Sequence, residues 1–246
     1  MSSRNSAADR KRLAESWQSV ASLIDHTNLR PEATPDQIVR LCAEAREFGF
    51  GAVMINPCYV ALAGDQLRGG QVKVGAVVGF PLGATLTIVK VLESQEALKL
   101  GAREIDMVMN IGWLKAGEKE DVRSDIRAVA EVVHPAGALL KVILETGLLT
   151  TDEKLLACEI SEGAGADFVK TSTGFLGGVA TVEDVTLMRG AVRIGVKASG
   201  GIRTAADARK MIEAGADRLG TSSGVKIVAE LRDELAKRLG APKAGV

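Results

Sequence analysis

The sequence predicts an α/β chain closed as a (β/α)8 TIM barrel with a short N-terminal helical extension. Three observations lead there. First, a helical segment, a glycine and a short apolar run recur in that order, as in Phe48-Gly49-Phe50-Gly51-Ala-Val-Met-Ile55 and Gly163-Ala-Gly-Ala-Asp-Phe-Val-Lys170. Glycine is favoured just past a helix end because it tolerates positive φ. Second, the apolar runs are continuous rather than alternating, as expected of parallel strands buried on both faces. Third, the 246 residues hold eight such units, the number and length that close a barrel.

Taken in order, the expected strands are Ser22–Asp25, Ala52–Ile55, Lys73–Val78, Glu104–Val108, Leu139–Glu145, Asp167–Lys170, Arg193–Lys197 and Arg218–Gly220. Each is too short and too apolar to be a surface helix. Between and after them, apolar residues recur at helical spacing over Pro35–Phe48, Tyr59–Leu67, Thr87–Leu100, Lys119–Val133, Thr151–Glu162, Val182–Arg189, Ala205–Ala214 and Val225–Leu239. Residues 1–18 form a leading helix or arm and residues 240–246 a loose tail, so 1–246 is expected to be a single domain. No GxGxxG follows the first strand and no GxxxxGK[ST] occurs, which removes the usual marks of open nucleotide-binding sheets.

Composition narrows the function classes. Basic and acidic residues balance at 31 each, spread along the chain, so neither a nucleic-acid footprint nor a membrane-surface footprint is present. No apolar stretch approaches the roughly 18 residues of a membrane span. Cys42, Cys58 and Cys158 are odd in number, widely spaced and lack a CxxC pair, which reads as buried thiols in a reducing compartment, consistent with a cytoplasmic protein. With only His26 and His134 in the chain, a three-histidine zinc site cannot be built, and no metal is expected.

In such barrels chemistry sits at the C-terminal ends of the strands. Those ends supply Asp25, Asn56, Asp106, Asn110, Glu145, Lys170, Thr171, Ser172, Lys197, Ser199, Thr221 and Ser222. The informative pair is Lys170 and Lys197, closing two consecutive strands. Neighbouring strands lie about 4.8 Å apart, so the two amines can approach within roughly 5–6 Å. Two unit charges at 5 Å repel by about 3 kcal/mol at an effective dielectric of 20, some two pKa units, and burial adds to the depression. An amine neutral near pH 7 is a nucleophile for carbonyl carbon. The arithmetic does not say which lysine attacks; Lys170 is favoured because Phe168 and Val169 precede it. Asp106, a carboxylate in an otherwise apolar strand, is the expected proton carrier, or a salt-bridge partner for a lysine. Lys141 and Glu145 share parity on the fifth strand, and both are expected to face inward.

Ser199-Gly200-Gly201 and Gly220-Thr-Ser-Ser-Gly224 follow the seventh and eighth strands, where barrels bind phosphate through backbone N–H groups and a helix N-terminus. These loops, which hold Gly200, Gly201, Ser222 and Ser223, are therefore expected at a phosphate, the alternative being ordinary turn glycines and a Ser N-cap for the final helix. Thr171 and Asp25, at other strand ends, are further candidate substrate contacts.

At these residues the chain resembles the deoxyribose-phosphate aldolases, class I aldolases of barrel fold. The matching segments include Ile24-Asp-His-Thr-Asn-Leu29, Glu104-Ile-Asp-Met-Val-Met-Asn110, Phe168-Val-Lys-Thr-Ser-Thr-Gly174, Val196-Lys-Ala-Ser-Gly-Gly201 and Gly220-Thr-Ser-Ser-Gly224. The resemblance implies that Lys170 forms a Schiff base, that Lys197 depresses its pKa and moves protons, and that Asp106 exchanges protons through a water. It implies that Gly201, Ser222 and Ser223 hold a 5-phosphate. The implied reaction is reversible cleavage of 2-deoxy-D-ribose 5-phosphate to acetaldehyde and D-glyceraldehyde 3-phosphate, with no cofactor, in a homodimer or homotetramer. Two departures stand out. The tail Ala241-Pro-Lys-Ala-Gly-Val246 lacks the tyrosine of some members, Tyr59 being the sole tyrosine, and Phe175 stands where some carry a lysine.

Overall fold

The computed structural model describes residues 6–238. Its eight strands are β1 (Ile24–Asn28), β2 (Ala52–Ile55), β3 (Lys73–Val78), β4 (Glu104–Val108), β5 (Leu139–Ile143), β6 (Phe168–Lys170), β7 (Gly195–Ser199) and β8 (Arg218–Thr221). They pair in parallel, each with the next, and β8 returns to β1 to close the barrel.

Around it run α1 (Ala7–Glu15), α2 (Trp17–Ser22), α3 (Pro35–Phe48), α4 (Val60–Gln66), α5 (Thr87–Lys99), α6 (Ile111–Ala116), α7 (Lys119–Val133), α8 (Thr151–Gly163), α9 (Val182–Ala191), α10 (Ala205–Ala214) and α11 (Gly224–Arg238). No described helix is long and apolar enough to cross a membrane. The helix starts follow local chemistry. Thr34 caps α3 in a box with Gln37 while Pro35 supplies the first turn. Thr150 with Glu153 and Thr204 with Asp207 do the same for α8 and α10.

Side-chain parity sorts the strands into two environments, because successive residues point to opposite faces. Ile24, Val53, Ile55, Val74, Ile105, Met107, Leu140, Val142, Val169, Val196 and Leu219 join one apolar cluster with helix residues such as Ile38, Ile126, Ile160 and Ile212. The opposite parity meets inside the barrel. There, one side is apolar, with Met54, Val77 and Leu29 packed together. The other carries charges, described below.

The expected elements are present, with three strands shifted by two residues or more and one helix added. Ser22 ends α2 instead of opening a strand, because Ser16 caps a helix that buries Val20 and Ala21; β1 accordingly starts at Ile24. The fifth strand stops at Ile143, since Glu145 takes a left-handed backbone, φ 56. The seventh runs two residues later than expected. Helix α6 was not anticipated; Asn110 caps it by accepting from the Trp113 N–H, and Gly117 ends it at φ 83. The leading arm folds as α1 and α2, and Arg10 ties α1 to the barrel floor through the Ala216 carbonyl and Asp217. Residues 1–5 of the arm, Leu239 and the 240–246 tail lie outside the described residues.

Candidate active site

Six charged side chains form a closed ring within the barrel. Arg218 on β8 sets both guanidinium nitrogens on Glu104 of β4, at 3.1 and 3.2 Å, and also pairs with Asp25 of β1. Glu104 accepts from Lys141 Nζ of β5 at 2.5 Å, and Lys141 also donates to Asp106 Oδ1 at 3.0 Å. Asp106 Oδ2 accepts from Lys197 Nζ of β7 at 2.7 Å, and Lys197 pairs with Asp25, completing the circuit. Signs alternate throughout. The seventh group, Lys170 on β6, hangs on the ring by donating to Asp106 Oδ2 at 2.8 Å.

The register makes this arrangement unavoidable. Asp106 lies opposite Lys141, Lys170 opposite Lys197, and Lys197 opposite Arg218, each pair with inward parity on adjoining strands. Three carboxylates face four basic groups in a barrel core. Burying an unpaired charge costs several kcal/mol, so the set approaches neutrality most readily when one base gives up its proton.

Lys170 is that base. Burial disfavours its ammonium form, the neighbouring Lys197 charge adds to this, Asp106 opposes both, and the net result lies near 8, well below an ordinary lysine. Burial would also push Lys141 down, yet Asp106, Glu104 and Asp25 together hold it above the usual lysine range. Burial likewise raises Asp106 and Asp25, but the surrounding cations win: Lys141, Lys170 and Lys197 keep Asp106 well below the ordinary carboxylate range, and Lys197, Arg218 and Lys141 do so for Asp25. The repulsion expected from sequence is thus present, but desolvation leads it and Asp106 sits between the two amines.

A cavity of about 530 Å³ opens above the ring at the C-terminal ends of the strands. Of the seven groups, only Lys170 lines it. Charge arithmetic alone left the two lysines equal; their positions do not, since Lys197 is fully buried and does not line the cavity.

The other expected residues divide. Gly200, Gly201 and Ser222 line the cavity, the two glycines with φ of 96 and 78. A Cβ on Gly200 would come within 3.0 Å of the Gly178 carbonyl, so the positive φ and the close approach both call for glycine there. Ser223 does not line the cavity; its N–H donates to Thr221 Oγ1. Thr171 is fully buried, its hydroxyl donating to the Ser199 carbonyl and accepting from the Ser199 N–H, so it staples β6 to β7 and is not a cavity wall. Asp25 is corrected similarly: it lies in the ring, fully buried below the cavity floor, because its parity points it at Lys197 and Arg218.

Lys141 faces inward as expected, whereas Glu145 turns away from the ring. Its carboxylate accepts from the Thr173 N–H at 3.0 Å and from the Thr173 hydroxyl at 2.5 Å. Phe175 lines the cavity and meets Phe80 edge-on at 5.2 Å between ring centres. Sequence reasoning missed Glu104, Arg218, Arg203 and His26, the last two in the cavity wall, which Ser199, expected at the seventh strand end, also lines. A signal existed for the first two: each is a charge at inward parity on a buried strand.

The chain matches the DeoC/LacD family of aldolases over residues 19–230. It is 60% identical over 213 residues to the deoxyribose-phosphate aldolase of Thermotoga maritima, covering 86% of this chain and 85% of that one. It is 58% identical over 219 residues to that of Thermococcus kodakarensis, covering 87% and 98%. Among solved structures, the tetrameric deoxyribose phosphate aldolase of Aeropyrum pernix superposes with a TM-score of 0.85 at 35% identity, over 93% of this chain and 99% of that one.

Proposed function

The chain belongs to the DeoC/LacD family of aldolases, and from that membership we propose that it cleaves 2-deoxy-D-ribose 5-phosphate reversibly to acetaldehyde and D-glyceraldehyde 3-phosphate through a Schiff base on Lys170. The observation that carries the reading is the position of Lys170, the one group of the charge cluster with access to the cavity, held near pKa 8.

The free amine of Lys170 adds to C1 of the open-chain sugar, and loss of water gives a protonated imine. A base removes the proton of the C3 hydroxyl, the C2–C3 bond breaks, and its electron pair moves into the iminium to give an enamine. Glyceraldehyde 3-phosphate leaves; protonation at C2 and hydrolysis then release acetaldehyde and restore the amine. Asp106 starts as a carboxylate, its acidity fixed by three lysines, so it enters as proton acceptor, through a water, and donates only after it has accepted. Lys197, bonded to the same oxygen, supplies the partner proton.

At the other end of the cavity, the backbone N–H groups of Gly200 and Gly201 and the Ser222 hydroxyl take the 5-phosphate, with the Ser223 region at the start of α11 adding the helix dipole. Thr171 acts by fixing Ser199 and the strand end, and Asp25 by holding Lys197. We place the enzyme in the cytoplasm, as a homodimer or homotetramer, acting on small phosphosugars and aldehydes.

Release of glyceraldehyde 3-phosphate from deoxyribose 5-phosphate tests the reaction. Acetaldehyde with borohydride tests the nucleophile: an ethyl group on the Lys170 peptide is expected, and labelling confined to another lysine would overturn the assignment.

A further inference from the structure

The ring of ion pairs has a member that reaches neither the cavity nor the reacting lysine. Arg218 lies on the strand beyond Lys197, opposite it in register, and two strands from Lys170, about 10 Å at ordinary strand spacing. Its side chain is 13% exposed, it grips both oxygens of Glu104, and it pairs with Asp25. Lys141 also reaches both carboxylates, Glu104 at 2.5 Å but Asp25 only at 3.8 Å, whereas Arg218 donates a hydrogen bond to each and so closes the circuit.

We propose that Arg218 is a positioning residue for the aldol chemistry: by balancing Asp25 and Glu104 it holds Lys197 and Lys141 in place, and thereby sets the pH range in which Lys170 is a free amine. This rests on the Schiff-base reading given above. The physical argument is charge balance. Asp25, Glu104 and Asp106 face Lys141, Lys197 and Arg218, three against three, and Lys170 is the surplus base. Take away the guanidinium and the carboxylates outnumber the remaining fixed cations, so the interior retains a proton on Lys170. Take away Glu104 instead and the surplus of positive charge drives that proton off.

Every charged group facing this cluster belongs to the count. β1 contributes Asp25, β4 Glu104 and Asp106, β5 Lys141, β6 Lys170, β7 Lys197 and β8 Arg218. On β2 and β3 the buried residues of inward parity, Ala52, Met54, Gly75 and Val77, are uncharged, and Lys73, of the same parity, is exposed at the start of β3. Among the described residues, no further buried ionisable side chain pairs with the ring to compensate for a change in it.

The test is the pH dependence of acetaldehyde trapping by borohydride in Arg218→Met, Arg218→Lys and Glu104→Gln. Arg218→Met should move the midpoint up by about one pH unit, and Glu104→Gln should move it down by a similar amount, as expected for a unit charge at this range. Arg218→Lys, which keeps the charge, should stay close to the parent midpoint. Midpoints unchanged in both neutral variants, or moved in the same direction, would overturn the proposal even if turnover falls. Should Arg218→Met fail to fold, the Glu104→Gln midpoint decides: a fall supports the inference and no change sinks it. Failure of the parent protein to trap acetaldehyde at any pH would instead strike the Schiff-base reading itself.

Discussion

Lys170 and Lys197 donate to the same atom, Oδ2 of Asp106, at 2.8 and 2.7 Å. Two amines at the ends of neighbouring strands are thus held together by one carboxylate oxygen. This single contact gives the amines unequal roles. Lys197 is enclosed by Asp25 and Asp106, whereas Lys170 has Asp106 on one side and the cavity on the other.

Asp106→Asn tests that contact. The amide keeps the shape but loses the charge and the capacity to accept a proton. Turnover should fall by roughly 10²–10⁴-fold, the usual worth of a positioned acid–base group. Steady-state cleavage rates at saturating sugar phosphate would check it, and a loss below tenfold would remove Asp106 from the proton path.

The parent enzyme should gain activity as pH rises through about 8, because the productive form of Lys170 is the deprotonated one and its pKa lies there. At pH 7 about one molecule in ten carries the free amine, and at pH 8 about half do. The kcat/KM for the sugar phosphate should therefore rise about fivefold between those values. A profile flat from pH 6 to 9 would contradict the assignment.

Gly220→Ala should damage the site without touching a charge. A Cβ there would stand 2.2 Å from Ser199 Oγ and 3.2 Å from Lys197 Cε, so the Ser199 hydroxyl must move and Lys197 must give by a few tenths of an ångström. Misplacing a catalytic group by about 1 Å can cost about a hundredfold, so a smaller shift should cost less, roughly tenfold. We expect kcat to fall by that order while the melting temperature moves little, and an unchanged kcat would show that Lys197 absorbs the added methyl without loss of position.

A fourth prediction concerns stability alone. Outside the barrel, Lys90 on α5 donates to Asp125 of α7 at 2.5 Å and to the Val108 carbonyl at 3.0 Å, with both side chains fully buried. Lys90→Met leaves the Asp125 carboxylate with the Thr87 hydroxyl at 2.8 Å as its remaining partner. Stranding one charge of such a pair costs about 3–5 kcal/mol. Denaturant unfolding should show that loss, while kcat of the folded fraction at low temperature is retained.

Much of this protein was legible in the chain. The eight short apolar runs, most of them set off by glycine from a helix, already specify strands buried on both faces, and a barrel is what eight of them close into. Lys170, Lys197 and Asp106 stood out because ionisable residues in such runs must find partners. Ends of elements were less legible: Ser22 went to a helix because the cap at Ser16 buried Val20 and Ala21, and β5 stopped short because Glu145 turned into the left-handed region. Those outcomes depend on contacts that local propensity does not contain.

Tertiary structure alone decided how the charges meet. Residue order puts Asp25 and Arg218 at opposite ends of the sequence, 193 positions apart, and nothing local relates them. Closure of β8 onto β1 makes them neighbours, turns six separate side chains into a ring of alternating sign, and draws Asp25 and Thr171 away from the substrate cavity. It also leaves one amine surplus and facing open space. Coulomb energy depends on distance through space, and that distance exists only once the barrel is shut.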